Sequence, residues 1–373
     1  DLALLEEAVS MAASMASQGQ HLGQKAVNVV SPTHASSLLK VDGREWAVGA
    51  LLGVGRRSQV YAGLDRATGK QAAIKVVSID AGSSSASTNE AKGSAIEQEL
   101  SHYRSLSHRH VVEYIGCSMQ RRGPRHKLQV ILEHVSGGSV ARMLAEFGAL
   151  SENVARLYCN QILSGLQYLH SNKISHRCLS GANCLVTLEG VVKLADFGAL
   201  GASSLNPELW SGPGAKNWAD ASVCALGLDS LDRSVFWMPP EVVQGKGQGR
   251  RGDIWRLGCT VIEMLTASHP WPGLANEAHP WGALLKIATT PGGPPRPPGI
   301  SDEALDFLDQ CLKPNPSERP TAAQLRQHKW LASMPPSPTP AAAIAAAAIA
   351  GDAAGGGKGG GGSGSGGSGS LKK

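Results

Sequence analysis

The chain has few aromatic residues, no closely spaced cysteine pair and no long apolar run. Each shortage narrows its class. Aromatics make up 5% of the 373 residues while hydrophobic residues reach 42%, so a sizeable core is available, mostly aliphatic. The seven cysteines, Cys117, Cys159, Cys178, Cys184, Cys224, Cys259 and Cys311, contain no CxxC. An odd count in a large chain argues against a disulfide framework and for free thiols in a reducing, cytoplasmic setting. The spacing of Cys178 and Cys184 beside His176 fits no common zinc site. The longest apolar run, AAAIAAAAIA at 341–350, is too short and too weakly hydrophobic to span a bilayer. No secretory signal is visible. The net charge of +5 is spread along the chain, which is too mild for nucleic-acid binding, and RRGPRHK at 121–127 reads as a solvated loop.

What is present divides the chain in three. Residues 1–43 read as a flexible or partly helical segment. Residues 333–373, with PPSPTP, poly-Ala and GGGKGGGGSGSGGSGS, have the composition of a disordered tail. Ser337 and Thr339, each before a proline, read as part of that filler. Between them, 44–332 has globular texture. Its first part, 44–135, predicts strands with one helix, SAIEQELSHYRSL, among them, and a hairpin at ATGK. From 136 to 332 the pattern turns helical. SENVARLYCNQILSGLQYLHS starts on Ser151 as N-cap and puts Val154, Leu157, Tyr158, Ile162, Leu166 and Leu169 on one face. DIWRLGCTVIEML is apolar nearly all round and predicts a buried helix, with SDEALDFLDQCL and TAAQLRQH closing the set. The expected class is α+β: a small β-rich lobe followed by a larger helical lobe.

Several pieces point to phosphate handling. In LGVGRRSQV, Gly53 and Gly55 permit a sharp backbone turn whose N–H groups can reach phosphate oxygens, and Ser58 stands where a third glycine would complete GxGxxG. On the next strand AAIK offers Lys75, with Glu99 on the following helix as its partner. KLADFG supplies Asp196, and Asn183 lies upstream; both offer the hard oxygen donors that Mg2+ prefers. Each piece alone is weak. Their order carries the weight.

In that order the chain resembles a eukaryotic protein kinase domain across about 44–332. The segments HRHVVEYIGC, ILEHVSGGSV, HRCLSGANCLV, VKLADFGA, FWMPPEVV, DIWRLGCTVIEML and CLKPNPSERPTA are similar to the MAP kinase kinase kinase group of Ser/Thr kinases. The resemblance implies a two-lobed fold, ATP and Mg2+ as cofactors, and other kinases or substrates of a signalling cascade as partners. It implies that Lys75 contacts phosphates and pairs with Glu99. Leu132 would be the gatekeeper, and Glu133 to Val135 a hinge whose backbone bonds adenine. Val60, Ala73 and Leu185 would enclose the adenine ring. Asn183 and Asp196 would hold Mg2+. Tyr103, His176 and Phe197 would stack as a spine, Glu241 would pair with Arg319, and Asp253 would brace the catalytic loop. Arg177 would bind a phosphorylated activation-segment residue, with Ser222 and Ser230 as weak candidates.

The departures gather at the transfer step. Where the family pattern reads His-Arg-Asp-Leu-Lys, this chain has His176, Arg177, Cys178, Leu179 and Ser180. Cys178 stands at the catalytic Asp and Ser180 at the loop Lys. A thiol with an ordinary pKa of about 8.5 is protonated near neutral pH and accepts hydrogen bonds weakly. Losing a positioned base costs ~10²–10⁴-fold in rate. Ser234 replaces the Thr that touches the catalytic Asp, and Arg256 stands where relatives have a small residue. Three readings follow: a pseudokinase that binds nucleotide, an active kinase of reduced rate, and an interaction module that binds none.

Overall fold

The computed structural model describes residues 38–55, 58–80, 100, 102–122, 125–198, 233–244, 246, 249–274 and 280–332. Glu99, Ser222, Cys224, Ser230, Ser337 and Thr339 lie outside the described residues, as do 1–37 and 333–373.

Six antiparallel strands form the first layer: β1 (Leu38–Val41), β2 (Arg44–Val54), β3 (Ser58–Asp65), β4 (Gln71–Asp80), β5 (Tyr114–Arg122) and β6 (Arg125–Glu133), in the order β1-β2-β3-β4-β6-β5. The sheet therefore begins at Leu38, ahead of the expected boundary at 44. Leu39 and Val41 account for this, because both are buried beside Trp46, Ala72, Ile74 and Ile131 on one face. The expected hairpin at ATGK joins β3 to β4, closed by Asp65 N–H to Lys70 O at 2.9 Å with Gly69 at φ 72°. The stretch expected as a loop at 121–127 is instead mostly strand, with Arg122 paired to Arg125 across the β5–β6 hairpin.

The two-residue period of a strand separates the sheet faces. Ala72 and Ile74 enter the small cluster with Ile131. Ala73, Val77, Leu128, Val130 and Leu132 pack instead with the main core, so Lys75 emerges on that side.

Among the described residues after the sheet, eight helices follow: α1 (Val140–Phe147), α2 (Glu152–Ser171), α3 (Pro240–Val243), α4 (Arg250–Thr266), α5 (Pro280–Thr289), α6 (Asp302–Cys311), α7 (Ala322–Leu325) and α8 (Lys329–Ala332). The Ser151 hydroxyl accepts from Val154 N–H at 3.5 Å and starts α2, whose predicted apolar face is buried. Helix α4 is buried from Gly252 to Met264 without a break, and that run includes Asp253, Arg256 and Glu263. The segment read as one helix, TAAQLRQH, is a short α7 started by a Thr321–Gln324 capping box, with α8 beyond it. A two-stranded ribbon, β7 (Cys184–Val186) and β8 (Val192–Leu194), lies between the sheet and the helical layer. A β-rich lobe and a helical lobe result, as expected. Among the described residues no helix is long and apolar enough to cross a membrane.

Candidate functional site

Sheet register brings the nucleotide-side residues together. Val60 pairs with Lys75, and Ala73 with Leu132. Gly55 N–H donates to Ser58 O at 2.7 Å, and a Cβ at Gly55 would lie 2.8 Å from Ser58 Oγ. A side chain at 55 would displace the Ser58 hydroxyl. A Cβ at Gly53 would meet nothing within 4 Å, so that position lies against open space. Leu185 is half-buried and bridges to Ser139, below the sheet. Leu132 is buried, and Val135 packs against the main core.

Glu133 does more than expected. Its N–H donates to Glu113 O at 2.9 Å, so that group is already committed. Its carboxylate accepts from Glu113 N–H at 3.0 Å and meets Lys193 Nζ at 2.9 Å, tying β6 to β8.

Lys75 is buried, and its Nζ lies 2.6 Å from Asp196 Oδ1. Asp196 sits at φ 57°, in the left-handed region. Asn183 Nδ2 donates to Cys178 O at 2.6 Å, which commits the amide nitrogen and leaves the amide oxygen for a cation. Asn183 O accepts from Ala195 N–H at 2.9 Å, holding the two oxygen donors just before β7 and just after β8, at the same end of that ribbon. Glu99, the expected partner of Lys75, lies outside the described residues.

The expected stack is present. Tyr103 and Phe197 rings are 5.2 Å apart, and His176 meets Phe197 edge-on at 6.5 Å. Tyr114 adds a fourth ring, T-shaped to Tyr103 at 6.3 Å, which the strand pattern gave no reason to single out. Burial pushes His176 down to about 4, so it is neutral, and its Nε2 has no partner among the described residues. Below it, Asp253 accepts from His176 N–H and Arg177 N–H, both at 2.8 Å, and from His170 Nε2 at 2.8 Å. Burial opposes its ionisation, but the bond from His170 and the charges around it hold Asp253 below the usual carboxylate range. Arg177, at φ 72°, lines a cavity of about 460 Å3 with His102 and Lys173.

Cys178 is the decisive position. Its thiol donates to Asp196 O at 2.7 Å, with His176 O at 3.6 Å. Burial, then the Asp196 charge, push it up to about 12, although Arg256 and Lys75 pull the other way. The thiol is therefore protonated and turned inward. Ser180 is half-buried, makes no side-chain cap to the 181–183 turn, and its carbonyl accepts from Asn183 N–H at 3.0 Å. The backbone of Ser234 lies in the 3-10 turn Arg233–Trp237.

Two α4 side chains shape the loop from beneath. Glu263 Oε2 accepts from Gly181 N–H at 2.8 Å and Trp237 Nε1–H at 3.0 Å, coupling the catalytic loop to the turn before α3. A Cβ at Gly181 would lie 2.6 Å from Glu263 Oε1, so glycine is required there. Burial raises Glu263 to about 7 despite these two bonds. A free Glu titrates near 4.5. Between those values the folded chain binds the proton that the unfolded chain has released, so this group's contribution to stability falls as pH rises across the window. In denaturant titrations, the stability of native protein relative to Glu263→Gln should drop by on the order of 3 kcal/mol from pH 4.5 to 7. A flat difference would show that Glu263 stays ionised. Arg256 is buried, and its Nε has no partner among the described residues. Farther out, Glu241 receives Arg319 bidentately, both contacts at 2.7 Å.

Comparison with known proteins gives the family. A family model described as protein kinase domain matches residues 46–331. Mitogen-activated protein kinase kinase kinase 2 of Arabidopsis thaliana is 38% identical over 81% of this chain and 43% of its own length. Mitogen-activated protein kinase kinase kinase 3 of Homo sapiens is 38% identical over 78% of this chain and 42% of its own. This chain thus spans less than half the length of these relatives. A solved structure, "Crystal structure of Rad53 1-466 in complex with AMP-PNP", superposes with TM-score 0.57 at 26% identity, covering 77% of this chain and 65% of that one. By matched length and by sequence, the chain belongs to the protein kinase domain family and resembles its mitogen-activated protein kinase kinase kinases.

Proposed function

We propose that this chain binds ATP with Mg2+ while transferring phosphate little or not at all, and acts as a switch or scaffold in a phosphorylation cascade, with kinases or their substrates as partners. The protein kinase family uses ATP and Mg2+, and the residues here fit the pair. Asp196 and the amide oxygen of Asn183 are hard donors of the kind Mg2+ takes with phosphate oxygens. Lys75 is a buried cation beside them. Gly53 lies against open space and Gly55 closes the turn through its N–H to Ser58 O, while Val60, Ala73 and Leu185 offer apolar surface to a flat base. Bound Mg2+ would supply charge neutralisation on the phosphates.

The observation that carries the pseudokinase reading is the Cys178 thiol, protonated and donating to Asp196 O at 2.7 Å. A group in that state accepts only weakly from a substrate hydroxyl and aims it poorly. With Ser180 uncharged, no side chain at either position acts on the transferring group. A reduced-rate kinase is the second reading, favoured by the Lys75–Asp196 contact at 2.6 Å, because transfer leans on positioning and metal ions. The six cysteines described are free thiols, the state a cytoplasmic setting would maintain.

Mg-ATP should raise the melting midpoint of the full chain, and Asp196→Ala should remove that rise. No shift in the native protein would sink nucleotide binding. A shift accompanied by Asp196-dependent transfer to protein at rates ordinary for kinases would sink the pseudokinase reading.

A further inference from the structure

A concave feature of the helical lobe shares no lining residue with the nucleotide-side residues. It is a cavity of about 890 Å3 between the end of α2, the start of α4 and the segment leading into α7. Its wall carries Lys246, Arg250 and Arg251, together with Gln167, His170 and Thr321.

The charge balance of that wall is one-sided. Arg250 Nη1 donates to His170 O at 3.2 Å, and Arg251 Nη1 to Arg319 O. A carbonyl acceptor fixes a guanidinium without cancelling its charge. Glu241 also faces the cavity, but both its oxygens are taken by Arg319 at 2.7 Å. Asp253, behind His170, is bonded to that ring and to two backbone N–H groups. Glu318 lines a separate cavity on the other side of Arg251, where it accepts from Asn315 Nδ2 at 2.9 Å. Among the described residues no carboxylate pairs with Lys246, Arg250 or Arg251. Three cations thus line one hollow, two of them held in place before any ligand arrives. The N-cap of α4 is Gly249, which adds no side-chain acceptor to offset them.

We propose that this hollow is a docking site for a phosphorylated peptide segment of a partner protein. A dianionic phosphate matches a pair of fixed guanidinium groups, which bind such oxygens bidentately, and Lys246 adds a point charge. The volume exceeds what one phosphate fills, so the residues flanking it have room within the same hollow. A membrane surface would suit an exposed convex patch instead. A nucleic-acid strand needs a track of cations longer than three side chains in a pocket.

The test is fluorescence anisotropy on the full chain with a labelled Ala-Ala-phosphoserine-Ala-Ala peptide, its unphosphorylated twin and a labelled twelve-nucleotide thymidine strand. The phosphorylated peptide should bind at least ~10-fold more tightly than its twin, the scale of a charge-assisted contact. Lys246→Ala/Arg250→Ala should lose at least ~10-fold of that affinity, and raised salt should weaken it. Mg-ATP-induced stabilisation should be unchanged, since neither residue belongs to the nucleotide site. Should the double variant fold poorly, the single exposed-residue change Lys246→Glu carries the same expectation. Equal affinity for both peptides, or indifference to these substitutions, overturns the proposal. Tighter binding of the thymidine strand, lost with the same variants, replaces it with a nucleic-acid site. Displacement by inorganic phosphate at the same concentration as the phosphopeptide removes the peptide from it.

Discussion

Cys178→Asp/Ser180→Lys should transfer phosphate from ATP to protein ~10²–10⁴-fold faster than the native chain. The rest of the site is already arranged for such a gain. Asp253 holds the backbone of His176 and Arg177 at 2.8 Å, and Asn183 anchors the carbonyl of residue 178 at 2.6 Å, so the loop does not depend on the thiol for its shape. Arg256 and Lys75 both favour negative charge at 178, and Asp196 and Asp253 oppose it. A carboxylate there is ionised where the two cations outweigh those two neighbours and burial. It would then accept strongly from a substrate hydroxyl, which the protonated thiol does only weakly. Lysine at 180 would add charge to the transferring group, worth a similar order, though two residues acting on one transition state need not add. A phosphotransfer assay on native, single and double variants reads the result directly. Native activity equal to that of the double variant would mean that neither lost side chain limits the reaction here.

Arg319→Ala should destabilise the fold by ~3–5 kcal/mol, because it strands Glu241 as a buried charge without its partner. The guanidinium is fully enclosed. It donates twice to Glu241 at 2.7 Å, to Lys313 O at 2.7 Å, to Arg251 O at 3.0 Å and to Pro314 O at 3.1 Å. It also lies over the Trp255 ring, 5.0 Å from its centroid. One side chain thus joins α3, the start of α4 and the turn before α7. Loss of the whole set should lower the melting midpoint by about 10 °C, measured by circular dichroism. A change under ~1 kcal/mol would mean that the site relaxes or admits water around Glu241.

Much of this was readable in one dimension, for a physical reason. Lys75, Asp196 and Asn183 belong to short motifs whose order resembles a kinase domain, and that resemblance implied one phosphate and Mg2+ site, although it paired Lys75 with Glu99 and gave no contact to Asp196. Ser151 and the apolar face of α2 followed from the helical period. The Glu133–Lys193 and Glu263–Gly181 contacts were not readable, since no motif links these residues, which lie 60 and 82 positions apart. Tyr114 looked like one more strand residue. The first strand at Leu38–Val41 was missed because four residues carry too little pattern to outweigh a polar, small-residue neighbourhood.

The sequence by itself determined the family, the order of the site residues, and the absence of a carboxylate at 178 and of a lysine at 180. Those are matters of residue identity, and folding does not alter them. Only the tertiary structure decided what Cys178 does instead. Its thiol turns to the Asp196 carbonyl because the fold places that oxygen at 2.7 Å, nearer than His176 O at 3.6 Å. The tertiary structure likewise gathered Lys246, Arg250 and Arg251 around one hollow with their charges uncancelled. That outcome depends on where Glu241 and Asp253 find their own partners, across 78 and 83 positions of chain.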